Sequence, residues 1–373
     1  MISRTIVENI RNEFFQSKAI VILGARQVGK STLLKNVFAN QKDVLWLDAE
    51  NPDVSLIFEN ATAIRLKSFF SQSKYVIIDE AQKIENIGSK LKLITDYIPE
   101  IQVIATGSSA FELRNKLNEP LTGRKFEHKL FPLSFTEMKN DIGLLEEVRM
   151  LPHRLVFGYY PEVVTTKNNL EKILRLLSDS YLYKDILLFN GIRKPEKMQE
   201  LLKALALQIG SVVNYHELGK LIGLKSETVE EYIHLLEQSF VIYRLNSYHT
   251  NQRSEIKKGK KIYFTDLGIR NAVLNNFSAF ETRNDKGNLF ENFIVNEFIK
   301  ANEYQEKYEK FYFWRSNEQQ EVDLIIEKNG QLQIIDIKWN AKTKAKLPLS
   351  FRNKYPDSDL KVVNSENFWE FFD

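Results

Sequence analysis

The sequence predicts an α/β protein of three successive units, and three observations carry that expectation. Through the first third, short runs rich in Val and Ile alternate with helical patterns, as in a parallel sheet covered by helices. Residues 24–31 read Gly-Ala-Arg-Gln-Val-Gly-Lys-Ser directly after one such run, which makes this first unit a P-loop NTPase sheet. A helix-turn-helix pattern follows, and the last third holds strands that carry acids and an acid-x-Lys pair. The expected domains are residues 1–140 for the P-loop unit, 141–250 for a helical linker and winged helix-turn-helix, and 251–373 for a C-terminal α/β restriction-endonuclease-like unit.

The expected strands of the first unit are Ala19–Leu23, Val44–Asp48, Tyr75–Asp79 and residues 103–106. All are apolar and lack the polar alternation of a half-exposed strand, so all are expected to be buried. Residues 136–208 read as mainly helical, with 170–188 the most periodic stretch. Asn214, with Glu217 three residues on, marks a helix start over residues 215–221. A turn at Gly223, a helix over Ser226–Gln238 and a strand over 240–245 complete the expected winged helix. The last unit reads as a helix over 289–300 and strands over 311–314, 321–327 and 333–339, with Asn329-Gly330 as a hairpin turn.

Composition narrows the function classes. The 373 residues are 43% hydrophobic and 27% charged, with net charge +3, so affinity for nucleic acid has to come from a local patch. The chain has no cysteine, and its five histidines (128, 153, 216, 234 and 249) lack ligand spacing, which argues against structural zinc. No apolar run approaches the ~20 residues of a membrane span and the N-terminus lacks a signal-peptide pattern, so a cytoplasmic protein is expected.

The nucleotide site is expected on Gly24, Ala25, Arg26, Gln27, Val28, Gly29, Lys30, Ser31 and Thr32. Glycines let the backbone wrap closely, so that amides and the N-terminus of a helix over 30–39 face the phosphates of ATP. Lys30 would neutralise the β and γ phosphates, while the Ser31 hydroxyl and Asp79 would serve Mg²⁺. Glu80, beside Asp79 at the end of its strand, would polarise the attacking water; the alternative is a first-turn carboxylate favoured by the helix dipole. Ser108, in the Gly107-Ser108-Ser109 end of the fourth strand, is read as reporting the γ-phosphate or as ordinary turn chemistry. Arg124 is the candidate for stabilising transition-state charge, in its own subunit or in a neighbour's, and a surface arginine is the alternative.

The helix over Ser226–Gln238 exposes Glu227, Glu230, Glu231, His234 and Glu237, and carboxylates facing a duplex repel phosphate. That unit is therefore expected to pack or to bind a protein partner. Residues 252–261 hold Arg253, Lys257, Lys258, Lys260 and Lys261 against Glu255, and read either as a nucleic-acid backbone contact or as a solvated hairpin. In the last unit, Glu321 and Asp323 share one strand face, and Asp336 and Lys338 share another. With Glu291 from the preceding helix they have the layout of a PD-(D/E)xK nuclease core. Glu291, Asp323 and Asp336 are the candidate ligands of a second divalent metal, with Lys338 beside them; the alternative is a scaffold with charged solvent faces.

Taken together, these residues resemble a family of bacterial and archaeal AAA-type ATPases with a C-terminal domain of unknown function that has a restriction-endonuclease-like core. The shared motifs are Gly24–Thr32, Asp79-Glu-Ala-Gln82, Thr106-Gly-Ser-Ser109, Leu121-Thr-Gly-Arg124, Pro132-Leu-Ser-Phe135, residues 158–163, Tyr183-Lys-Asp-Ile186, residues 263–268 and Asp336-Ile-Lys338. The resemblance spans nearly the whole chain. It implies nucleotide binding and hydrolysis at Lys30, Ser31, Asp79 and Glu80. The expected function is a Mg-dependent ATPase that acts as a molecular switch on its C-terminal units. The alternative is an ATP-regulated nuclease or nucleic-acid-processing protein. The oligomeric state is left open.

Overall fold

The computed structural model describes residues 2–108, 121–187, 194–249, 259–316, 318–345 and 347–372, with residues 180–187 described by backbone alone. The chain divides into two compact units. One comprises Arg4–Pro132 with Gln238–Phe240; the other comprises Met1–Ser3, Leu133–Glu237 and Val241–Asp373.

The first unit is a five-stranded parallel sheet of β1 (Ala19–Leu23), β2 (Val44–Asp48), β3 (Tyr75–Asp79), β4 (Gln102–Gly107) and β5 (Lys125–Lys129), in the order β2-β3-β4-β1-β5. The first four strands fall where the Val- and Ile-rich runs lie. β1 and β4 are buried along their whole length, as expected of strands covered on both faces. β2 is not: it forms one edge of the sheet and leaves Trp46 37% exposed. β5, sequence Lys-Phe-Glu-His-Lys, forms the other edge and is too polar to read as a buried strand. His128 Nε2 on β5 lies 2.6 Å from Glu13 Oε2.

The second unit opens with the Pro132-Leu-Ser-Phe135 motif. Ser134 caps the helix Phe135–Ile142 in a capping box with Glu137. Further helices run over Leu144–Phe157, Pro161–Thr165, Leu170–Leu187 and Pro195–Leu207. Next come β6 (Val212–Val213), the helices Tyr215–Ile222 and Ser226–Gln238, then β7 (Ile242–Ser247) and β8 (Lys260–Phe264). Asn214 accepts from the amides of His216 and Glu217, and Gly223 ends the helix in the left-handed conformation. The acidic face is exposed at Glu227, Glu230, Glu231 and His234, while Glu237 pairs with Arg244 at Nε–Oε2 2.8 Å.

The C-terminal part adds the helices Leu267–Val273, Lys286–Tyr304 and Leu349–Lys354. Its strands are β9 (Lys310–Arg315), β10 (Glu321–Lys328), β11 (Gln331–Lys338) and β12 (Asp359–Asn364). Asn329 and Gly330 turn the β10–β11 hairpin with φ of 53° and 81°. Seven strands form one sheet in the order β12-β11-β10-β9-β7-β8-β6. The expected wing strand, β7, pairs antiparallel with β8 and parallel with β9. Strands from either side of residue 250 therefore share one sheet, so the division expected there is not a break in the second unit.

Several shared motifs become packing joints. Gly158 has φ +75°, and a Cβ there would lie 2.2 Å from Asp266 Oδ1. Asp266 instead accepts from the Tyr159 amide (2.7 Å) and from the Ile269 amide, capping the helix Leu267–Val273. Gly268 passes so close to the Phe157 carbonyl that a Cβ would sit 2.2 Å from its oxygen. Buried charges are paired. Arg154 grips Glu147 through Nε (3.1 Å) and NH2 (3.0 Å), and the Tyr159 hydroxyl donates to the same carboxylate (2.8 Å). Glu297 accepts from Lys300 (2.7 Å) and the Phe135 amide (2.8 Å), while burial pushes its carboxyl above the usual range.

Arg154→Met leaves Glu147, which is wholly buried, without its guanidinium. Removing one partner of a buried pair costs about 3–5 kcal/mol, so urea unfolding of this variant should show a loss of that size. A loss under about 1 kcal/mol would mean that the pair contributes no more than a solvent-exposed one.

Candidate functional site

In the first unit, β4 lies between β1 and β3, and parallel register aligns the three strand ends. Ile22 on β1 is level with Thr106 on β4, and Ile78 on β3 is level with Ala105. Gly24, Thr106 and Asp79 therefore emerge at one edge, the carboxyl edge where open α/β sheets bind ligands. Gly24 starts the loop by donating its amide to the Gly107 carbonyl (3.2 Å). A Cβ at Gly24 would stand 2.3 Å from Leu130 O, so only glycine fits. Gln27 and Gly29 take φ of 57° and 96°, and the helix Lys30–Val37 begins immediately. Its N-terminus and the loop amides form an anion-binding end.

The side chains expected at this site converge. Ser31 Oγ donates to Asp79 Oδ2 at 2.6 Å, and Thr106 Oγ1 donates to Asp79 Oδ1. Thr106 Oγ1 also accepts from the Glu80 amide (3.1 Å). Glu80 has φ 51°, a left-handed conformation rare for a side-chain-bearing residue and costing about 1–3 kcal/mol. Its carboxylate is held by Ser108 Oγ (3.0 Å) and Gln82 Nε2 (2.5 Å), and Oε1 lies 4.0 Å from Lys30 Nζ. The Lys30 ammonium, buried, rests on the carbonyls of Gly24 (2.9 Å) and Ala25 (3.0 Å). Arg26 lies 3.9 Å from Glu50. Ala25 and Val28 are buried beneath the loop, whereas Gln27 and Thr32 face solvent. Ser109 lies outside the described residues.

Gln82 had no assigned role in the sequence, although it closes the quoted Asp79–Gln82 motif. Its amide reaches both Glu80 and Ser108 (3.2 Å). Arg124 is not brought to this edge. It precedes β5, whose residue Lys125 pairs with Ala19 at the start of β1, and its Nε donates to Asp96 at 2.7 Å. Five residues of strand, about 16 Å, separate that level from the phosphate loop.

In the second unit, the acids expected to share a cation are neighbours, but lysines are interleaved with them. Glu291 Oε1 accepts from Lys261 (2.9 Å) and from the Tyr263 hydroxyl (2.7 Å), and Lys261 also meets Glu321 at 2.5 Å. Lys338 bridges Asp336 (2.6 Å) and Asp323 (3.1 Å), and Asp323 also accepts the Ile337 amide (2.9 Å). Burial raises the Glu291 and Asp336 carboxyls, against the pull of Lys261 and Lys338 respectively. Burial alone would lower both ammoniums, but the surrounding carboxylates outweigh it and raise them. Among the described residues, no group of three or more His, Cys, Asp or Glu is arranged to hold a metal ion. Lys261 and Lys338 are the cationic groups paired with these acids among the described residues.

Lys261 closes the basic run at 252–261. It is completely buried, so it meets carboxylates and not a nucleic-acid backbone. Residues 252–258 of that run lie outside the described residues. No helix among the described residues is long and apolar enough to cross a membrane.

Comparison with known proteins agrees with the loop geometry. The model of the AAA domain matches residues 16–139. Two models described as domains of unknown function match residues 148–279 (DUF8612) and 286–369 (DUF4143). An uncharacterized protein of Haemophilus influenzae is 26% identical over 327 residues, 80% of this chain and 79% of the relative. An uncharacterized protein of Mycobacterium tuberculosis is 24% identical over 347 residues, 90% of this chain and 73% of the relative. Among solved structures, the Walker-type ATPase of Pyrococcus abyssi superposes with a TM-score of 0.52 at 14% identity, over 74% of this chain and 96% of the other. That likeness is one of fold. The residues that the AAA-domain model matches are those that carry the strand order, the loop and the aligned acids already described.

Proposed function

We propose that the protein binds ATP with Mg²⁺ at the loop of its first unit, hydrolyses it, and uses the cycle as a switch on its C-terminal units. The observation that carries this reading is the convergence of Ser31, Asp79 and Glu80 at the carboxyl edge of the parallel sheet. Ser31 Oγ and Asp79 Oδ2 are hard oxygen donors side by side, a set that suits Mg²⁺. Bound there, the ion would supply charge neutralisation for the β and γ phosphates.

The chain's own residues do the rest. An entering phosphate offers Lys30 an anionic acceptor, stronger than the two neutral carbonyls it rests on. Glu80 is oriented by Ser108 and Gln82 through one oxygen, which suits it to align a water and take its proton as the water attacks the γ-phosphorus. The bridge to the β-phosphate breaks, and ADP and inorganic phosphate leave. Thr106 and Ser108 touch Asp79 and Glu80, so a change at the γ-phosphate would be felt by β4. Arg124 enters this reading only between copies, serving a neighbour's site in an oligomer. The acidic face of the helix Ser226–Gln238 favours a protein partner over a duplex.

Lys30→Ala should abolish ATP binding in an equilibrium titration. Glu80→Gln should still bind ATP and hydrolyse it about 100-fold more slowly or worse, the usual weight of a general base. Hydrolysis by Glu80→Gln at the parental rate would remove Glu80 from the mechanism.

One observation favours the nuclease reading as a second activity: Asp336 Oδ2 is buried and has no hydrogen-bond partner, beside Lys338. On that reading the parent nicks DNA or RNA with Mg²⁺ or Mn²⁺ and Asp336→Ala does not. If the parent leaves both nucleic acids intact and Asp336→Ala hydrolyses ATP normally, the switch reading stands alone.

A further inference from the structure

The N-terminal Arg4 lies far from the phosphate loop in sequence, yet it is 92% buried against it, with only 8% of its surface exposed. Its NH1 donates to the carbonyl of Val28 at 2.9 Å, and its NH2 donates to the carbonyl of Phe131 at 2.6 Å. Val28 is the loop residue immediately before Gly29 and Lys30. Phe131 follows Leu130, whose carbonyl stands against Gly24 at the other end of the loop. One guanidinium thus fastens the late part of the loop to the segment that supports its beginning.

The consequence follows from peptide geometry. The described chain has no cis peptide bond, so the Val28 carbonyl and the Gly29 N–H belong to one planar trans unit and point in opposite directions. Holding the Val28 oxygen toward Arg4 turns the Gly29 N–H to the other side of the loop. Gly29 itself is in the left-handed region with φ 96°, a conformation that a glycine in a free loop shares with several others. A buried, forked donor on the preceding carbonyl selects among them.

We infer that Arg4 is a positioning residue for nucleotide binding, presetting the Val28–Gly29 peptide so that its N–H faces the phosphates before ATP arrives. The inference rests on the proposed ATP site. Its substance is pre-organisation: the fork bridges two carbonyls, which an ammonium on a flexible stem does less well.

The test compares ATP affinity and turnover in the full-length parent, Arg4→Ala, Arg4→Lys and Glu13→Gln. Glu13 pairs with His128 elsewhere in the same unit and serves as a control for general loosening. Arg4→Ala should weaken ATP binding about 10-fold or more while kcat at saturating ATP stays within about threefold, because the amide acts on bound and reacting phosphate alike. Arg4→Lys should fall between the two, and it carries the test if Arg4→Ala does not fold. Glu13→Gln should keep parental affinity. Parental affinity in both Arg4 variants overturns the inference, and so does an equal loss in Glu13→Gln. A parent that binds no ATP overturns the proposed function itself, and that outcome is visible before any variant is compared.

Discussion

The first unit depends on β4 lying between β1 and β3. A phosphate loop follows β1, and the acids end β3; were these strands adjacent, no third strand end would stand between loop and acids. With β4 interposed in parallel register, Thr106 and Ser108 fill that position and become hydrogen-bond partners of Asp79 and Glu80. Parallel pairing is also what sends every strand's carboxyl end to the same edge. The site is therefore a property of strand order, and its side chains hold one another in place before any phosphate is bound.

The second unit is organised by buried charge. Glu147 with Arg154, Glu297 with Lys300, and Glu291 with Lys261 each withdraw ions from water, which costs several kcal/mol per ion unless geometry and extra hydrogen bonds offset it. Here they do: tyrosine hydroxyls join two of the pairs, and a backbone amide joins the third. Such pairs contribute less to stability than apolar packing would. Half-made, they are strongly unfavourable, so they penalise alternative packings of the same helices. The Gly158–Asp266 and Gly268–Phe157 approaches act the same way, since only glycine permits them.

The C-terminal acids show how one pattern admits two chemistries. Carboxylates on adjacent strands repel one another, and either a divalent cation or ammonium groups can relieve that repulsion. The described geometry uses Lys261 and Lys338. Lys338 was visible as acid-x-Lys, being two residues from Asp336 on one strand face. Lys261 was hidden in a basic run, because nothing local distinguishes a lysine that opens a buried strand from its exposed neighbours.

By itself the sequence determined what is local or periodic. Glycine at 24 and 29 followed by Lys30 and Ser31 encodes a loop shape within eight residues. Apolar runs encode β1 to β4, and Asn214, Gly223 and Asn329-Gly330 encode their own caps and turn. The tertiary structure alone decided what needs pairing across many residues. Strand order set β4 beside both β1 and β3, brought Ser108 to Gln82, and left Arg124 at the opposite end of the strands from the loop. It made β5 a strand despite its polarity: its backbone pairs with β1 at the sheet edge, where four of its five side chains stay partly exposed. It also carried Arg4 to Val28 and Phe131, 24 and 127 residues away. Those contacts arise from chain path, and a spacing rule read along one segment has no term for them.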